Sequence, residues 1–98
     1  MKGRSKHDQT CHNRSVVKRA AGLKANKWKV KAAVPGYPNP PKMNGRIADI
    51  VATKGKKTKI VEVETQSTKK AHKQQRRDLR DYADRRKNTE FNMRTCKT

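Results

Sequence analysis

Two runs of β-branched residues near the middle of the chain limit its fold more than any other feature. Arg46 to Thr53 reads Arg-Ile-Ala-Asp-Ile-Val-Ala-Thr, and Thr58 to Thr65 reads Thr-Lys-Ile-Val-Glu-Val-Glu-Thr. Lys54-Gly55-Lys56-Lys57 between them has turn chemistry, so an antiparallel hairpin is predicted. Other segments must pack around it. Trp28, Val30, Ala32 and Val34 alternate with Lys29, Lys31 and Ala33, which predicts a further strand over 28–34. Val16, Val17, Ala20, Ala21 and Leu23 recur at helical spacing and predict a short amphipathic helix from Asn13 to Leu23, weakened near its end by Gly22. Residues 35–45 contain all four prolines and read as a rigid loop.

Beyond the hairpin, a long polar helix is predicted from Ser67 or Thr68, either of which can cap it, to about Lys87. Its few apolar residues, Ala71, Leu79, Tyr82 and Ala83, share one stripe, and Gln75 lies on that stripe. Glu90 to Cys96 reads as a closing strand. The predicted order is α-β-β-β-α-β, an α/β chain with a mixed central sheet flanked by helices. Residues 1–12 show no apolar period and read as a flexible basic arm, leaving 13–98 as one domain.

Composition then bears on function. The chain carries 27 Lys plus Arg against 8 Asp plus Glu, a formal net charge of +19. So one-sided a charge destabilises a compact state by self-repulsion unless a polyanion offsets it, and nucleic acid is the obvious one, bound first through its phosphates. An anionic membrane surface would call for an amphipathic helix with large apolar residues on one face, which this sequence lacks. No run is long and apolar enough to span a bilayer, and Met1-Lys2-Gly3-Arg4 is not followed by a signal-peptide hydrophobic region, so a soluble, cytoplasmic protein is expected. A disulfide between Cys11 and Cys96, near opposite ends of the chain, is geometrically possible but not implied by their spacing, and in that compartment the default is two free thiols. A hydrophobic share of 31% supports a modest core and no large cavity.

Acidic residues are scarce, which makes their placement informative. Asp49 falls in the first run of the hairpin, and Glu62 and Glu64 fall in the second. Two residues apart on a strand means one face, and the hairpin brings Asp49 alongside. Two accounts follow. Glu62 and Glu64 face solvent and pair with lysines such as Lys29, Lys31 or Lys59; or the three carboxylates share a half-buried face and need protons, cations or a metal to offset their repulsion. Two or three carboxylates, with water and a substrate phosphate, are what Mg²⁺ favours, and such a site can activate water against a phosphodiester. A zinc site of His7, Cys11, His12 and Cys96 lacks the paired spacing such sites use. Glycine loops for nucleotides are absent.

With these residues placed, the chain resembles a family. Val34-Pro35-Gly36-Tyr37-Pro38, Asn44-Gly45-Arg46-Ile47-Ala48-Asp49-Ile50-Val51-Ala52 and Ile60-Val61-Glu62-Val63-Glu64-Thr65 are similar to the core of the PD-(D/E)XK, or restriction-endonuclease-like, nucleases, with archaeal Holliday-junction resolvases the nearest type. The resemblance covers roughly residues 15 to 83. It implies a restriction-endonuclease-like core and metal-dependent cleavage of DNA with Mg²⁺ or Mn²⁺. Asp49 and Glu62 would be the metal-binding acids, and Asp49, Glu62, Glu64 and Gln75 the catalytic set. The sequence departs from the family pattern at Glu64, where a catalytic lysine is usual, at Ala48, where proline is frequent, and in a first helix without glutamate. Lys70 or Lys73 could bring a displaced ammonium from the long helix.

That helix holds nine basic residues between Lys69 and Lys87 against Asp78, Asp81 and Asp84. Arg77 with Asp81, and Asp81 with Arg85, have the spacing to pair. Lys69, Lys70, Lys73, Arg76, Arg77 and Arg80, with Lys54, Lys56 and Lys57, would form a cradle of phosphate contacts around the acids. Such contacts position a duplex without reading its bases, which favours structure-specific or nonspecific cleavage over that of a sequence-specific restriction enzyme; duplex or branched DNA is the expected partner, ahead of RNA. A chain this short spans few base pairs, so a homodimer is expected. The alternative is a non-catalytic basic nucleic-acid-binding protein with the same fold.

Overall fold

The computed structural model describes residues 6–65, 68 and 72–96. Its elements are α1 (Lys6–Ala25), β1 (Lys29–Ala32), β2 (Lys42–Met43), β3 (Arg46–Ile47), β4 (Ile50–Lys54), β5 (Lys57–Glu64), α2 (Lys73–Asp84) and β6 (Thr89–Thr95). Four strands form one sheet in the order β1-β4-β5-β6. The β1–β4 and β4–β5 pairs are antiparallel and β5–β6 is parallel, so the chain is α/β with a mixed sheet. A parallel neighbour cannot follow a tight turn, and α2 supplies the crossover.

Alternation along β5 separates the two faces. Val61 and Val63 pack with Ile50, Ala52, Ala32 and the α1 residues Val16, Ala20 and Leu23. Ile60 points the other way and packs with Val51, Ala48, Met43 and the α2 residues Leu79 and Ala83. One helix therefore covers each face, and Glu62 and Glu64, in step with Ile60, take the α2 side.

The hairpin β4–β5 forms as expected, with Lys54 paired to Lys57 and Gly55 at φ +60° in the two-residue turn. The strand expected over 46–53 breaks into β3 and β4 at Ala48 and Asp49, because the Asp49 backbone leaves its ladder. Its carbonyl accepts the Ala33 N–H at 2.9 Å, and its own N–H donates to a side chain of β5. The proline-rich segment, expected as loop throughout, contributes β2, which pairs with β3 across Asn44 and Gly45. Both turn residues have positive φ (52° and 77°), the conformation for which Asn-Gly is suited in two-residue hairpins. This small hairpin is pinned to α2: Asn44 Nδ2 donates to the Asp78 carbonyl and Arg46 Nε to Asp78 Oδ2, each at 3.0 Å.

Two expectations need correction at the chain's ends. The flexible arm does not extend through 6–12, since α1 begins at Lys6, seven residues before the predicted start. Its early turns are anchored by Cys11 and His12, which an apolar-period count passes over, and residues 1–5 lie outside the described part. Nor are the cysteines free thiols: α1 and the end of β6 bring their Cα atoms within 6.1 Å and a disulfide joins them. That bond also takes both sulfurs out of the zinc alternative. At the other helix, α2 starts at Lys73 without a side-chain cap. Thr68 instead bonds Thr65 in a buried turn just after β5, and Ser67 lies outside the described residues. Among the described residues no helix is long and apolar enough to cross a membrane.

Because the disulfide spans a sequence separation of 85 residues, Cys96→Ser should lower stability by about 2–4 kcal/mol. A urea midpoint that reductant lowers in the parent but not in the variant would show it.

Candidate functional site

The C-terminal half of β5 is buried from Ile60 to Glu64, so its two glutamates are taken out of water together. Glu62 is 1% exposed and Glu64 is fully buried. This overturns the solvent-facing account. Lys29 and Lys31 lie on β1, separated from β5 by β4, and Lys59 points to the opposite face and pairs with Glu90 at 3.5 Å.

Asp49 and Glu62 are locked by reciprocal main-chain bonds. The Asp49 N–H donates to Glu62 Oε1 at 2.9 Å, and the Val63 N–H donates to Asp49 Oδ2 at 2.8 Å. The break between β3 and β4 makes this possible, because it frees the Asp49 N–H to reach across to β5. Gln75, on the inner side of α2, donates its Nε2 to Glu62 Oε2 at 3.1 Å. Burial first, then the charge of Asp49, pushes the Glu62 carboxyl up to about 8 against its hydrogen bonds. Among the described residues no cation pairs with Glu62, which accepts the Asp49 N–H and the Gln75 amide.

Glu64 is satisfied differently. His72 Nδ1 lies 3.2 Å from its Oε1, and Arg76 Nη1 lies 3.3 Å from its Oε2. The arginine contact is a close ion pair whose geometry falls outside that of a hydrogen bond. Arg76 thus turns inward, 14% exposed, where an outward phosphate contact was expected. On the far side of the row His12, buried on α1, sets its Nε2 3.2 Å from Asp49 Oδ2, again without hydrogen-bond alignment. The row runs from α1 to α2: His12, Asp49, Glu62 with Gln75, then Glu64 with His72 and Arg76.

Sequence reasoning located Asp49, Glu62, Glu64 and Gln75 and missed His12, His72 and Arg76 as their partners. His12 lay inside the presumed arm, and His72 precedes a helix whose start was placed too early. None of the remaining basic candidates that are described pairs with these acids. Lys54, Lys56 and Lys57 are exposed at the turn end of β5, about 17 Å along the strand from Glu62 at roughly 3.3 Å per residue. Lys54 is also tied back, donating to the Asn26 carbonyl at 3.0 Å. Lys73 and Arg77 are exposed on α2, Arg80 lies over the Phe91 ring, and Lys69 and Lys70 lie outside the described residues. The helical pairs of Asp81 with Arg77 and Arg85 do not close; Asp78 bonds Arg46 and Gln74, which hold its carboxyl below the usual range.

Among the described residues no group of three or more His, Cys, Asp or Glu is arranged to hold a metal ion. Asp49 and Glu62 nonetheless form a pair of hard oxygen donors, and Mg²⁺ is commonly bound by one or two carboxylates with water and a phosphate. The donor chemistry fits such a cation at these two residues. Compared with known proteins, the chain matches no family model, no curated protein and no solved structure.

Glu62 fixes the sign of a pH dependence. Its folded value of about 8 exceeds the ordinary 4.5, so the native state keeps a proton that the unfolded chain releases in between. That contribution is full below pH 4.5 and lost as pH rises to about 8. In chelator, parent stability should fall across this window by no more than about 5 kcal/mol, and Glu62→Gln should flatten the slope in pH-resolved urea melts. Arg76→Met leaves buried Glu64 with a weaker partner and should cost about 3 kcal/mol. Adding Glu64→Gln should recover most of it, as a double-mutant cycle would read.

Proposed function

We propose that the chain is a metal-dependent endonuclease of the PD-(D/E)XK type, hydrolysing DNA phosphodiester bonds in a structure-specific or nonspecific manner. The observation that carries the reading is the pair Asp49, at the break just before β4, and Glu62 on β5, interlocked by main-chain hydrogen bonds with no cation between them among the described residues. Two neighbouring carboxylates, Glu62 buried and Asp49 17% exposed, repel unless a proton or a positive ligand offsets them, and a divalent cation would do so. Supporting it is the order of the main-sheet elements, α1-β1-β4-β5-α2-β6, with an antiparallel meander followed by a helical crossover to a parallel strand. That order agrees with the α-β-β-β-α-β core the resemblance implies. The net charge of +19 supplies the attraction to a polyanion.

In this reading Asp49 and Glu62 hold Mg²⁺ or Mn²⁺, which when bound polarises a phosphoryl oxygen and lowers the pKa of water. The Asp49 and Val63 N–H groups fix both carboxylates, so little reorganisation is needed. Gln75 orients Glu62 through its amide. Glu64 stands where the family has lysine, and α2 brings a cation to that position in the form of Arg76 rather than Lys73. A guanidinium presents a planar fork of donors suited to phosphate oxygens, so Arg76 would act there by charge and hydrogen bonding. His12 braces Asp49 from α1, the element from which the family often contributes a glutamate.

Labelled single-stranded, duplex, flap and four-way-junction DNA should be nicked in Mg²⁺ or Mn²⁺. Asp49→Ala and Glu62→Ala should each lose at least about 100-fold in rate with binding retained. Binding without cleavage on every substrate would overturn the nuclease and leave the non-catalytic binding protein, which the substitution at Glu64 favours. A dimeric mass in light scattering is expected, since one short chain presents one site to one strand.

A further inference from the structure

The cleft between α1 and β6, on the sheet face opposite Glu62 and Glu64, gathers positive charge and has no acid among its described lining residues. Ser15, Lys18, Arg19 and Gly22 line one side, and Arg94, Thr95 and Cys96 line the other, around a cavity of about 380 Å³ floored by Val63. Alternation along β6 explains Arg94: Cys96 packs into the α1-side core, so Arg94, two residues earlier, faces the same side. There it meets Arg19. The Nε of Arg19 is buried and has no hydrogen-bond acceptor among the described residues, and neither Arg19 nor the exposed Arg94 forms an ion pair with any of them. Glu90, the one acid among the described residues that acts on Arg19, is already paired with Lys59. Burial first, and then Arg94, lowers the Arg19 pKa.

Two guanidinium groups turned toward one cleft repel each other, and a buried N–H without an acceptor is costly. A surface arginine escapes both costs by swinging into water, whereas Arg19 keeps its Nε inside. An anion with several acceptor oxygens would satisfy the fork of each arginine, with Lys18 adding charge and the Ser15 and Thr95 hydroxyls adding donors. We propose that this cleft is a phosphate-binding site in which Arg19 and Arg94 clamp a tetrahedral phosphate group, supplied by a nucleic-acid backbone or by a free phosphate. It is a second anion site on the face away from the acid row, and it does not depend on whether that row hydrolyses anything.

The test compares the parent with Arg94→Gln, Arg19→Gln and, as a charge-matched control, Lys42→Gln at an exposed strand position. Thermal unfolding is followed at constant ionic strength as chloride is replaced by inorganic phosphate. The parent and Lys42→Gln should gain the same increment in melting temperature, and the two arginine variants should lose most of it. Removing either arginine relieves repulsion, so both variants should melt no lower than the parent in chloride alone. Equal gains in all four proteins would overturn the proposal, because phosphate would then be acting on the overall charge. Salt-dependent titration with duplex and single-stranded DNA separates the sources. A slope of log affinity against log salt reduced by about 1 in Arg94→Gln but not in Lys42→Gln identifies a backbone phosphate. An unchanged slope with the inorganic-phosphate gain still lost identifies a free phosphate.

Discussion

Everything near the proposed site depends on two carboxylates buried in the central strand of a small sheet. Glu62 and Glu64 fall where β5 is covered on both faces, a stretch that would ordinarily be apolar. The protein meets this in two ways. Glu64 receives compensating groups, His72 and Arg76, from the crossover helix. Glu62 receives neutral hydrogen bonds and the company of Asp49, and its proton affinity rises accordingly.

This division shapes the surrounding structure. The Asp49 N–H can reach Glu62 only because the β3–β4 run is broken, and the backbone there is held from outside by β1 through the Ala33 N–H. The small β2–β3 hairpin that precedes the break is fastened to α2 by Asn44 and Arg46. The same helix carries Gln75 and Arg76, so the pieces that set Asp49 and those that set the glutamates share one support. On the opposite side the disulfide ties the start of α1 to the end of β6, next to His12. Strands alone would leave these side chains in the right neighbourhood but with looser geometry.

The central hairpin, the closing strand, the α/β class and the grouping of Asp49, Glu62, Glu64 and Gln75 were legible in the residues, because period-two and helical patterns act over a few positions. The Asn-Gly of the proline-rich segment also carried a hairpin signal, masked by the prolines around it. The extent of α1 was not legible. Its first turns owe their place to Cys11 and His12, whose contacts lie 85 and 37 positions away along the chain. Lys54, Lys56 and Lys57 stand away from the acids for a related reason: nearness in sequence to an acidic strand says nothing about which end of that strand a turn occupies.

By itself the sequence determined the charge, the strand and helix periods and the face on which the acids stand, since these follow from composition and from the alternation of neighbouring residues. Only the tertiary structure decided that the glutamates are buried, that Arg76 turns inward and that Arg19 and Arg94 meet in a cleft. Burial and pairing depend on which surfaces are brought together by a helix crossing over the sheet. No local pattern encodes the distance between residues that the chain joins from opposite ends.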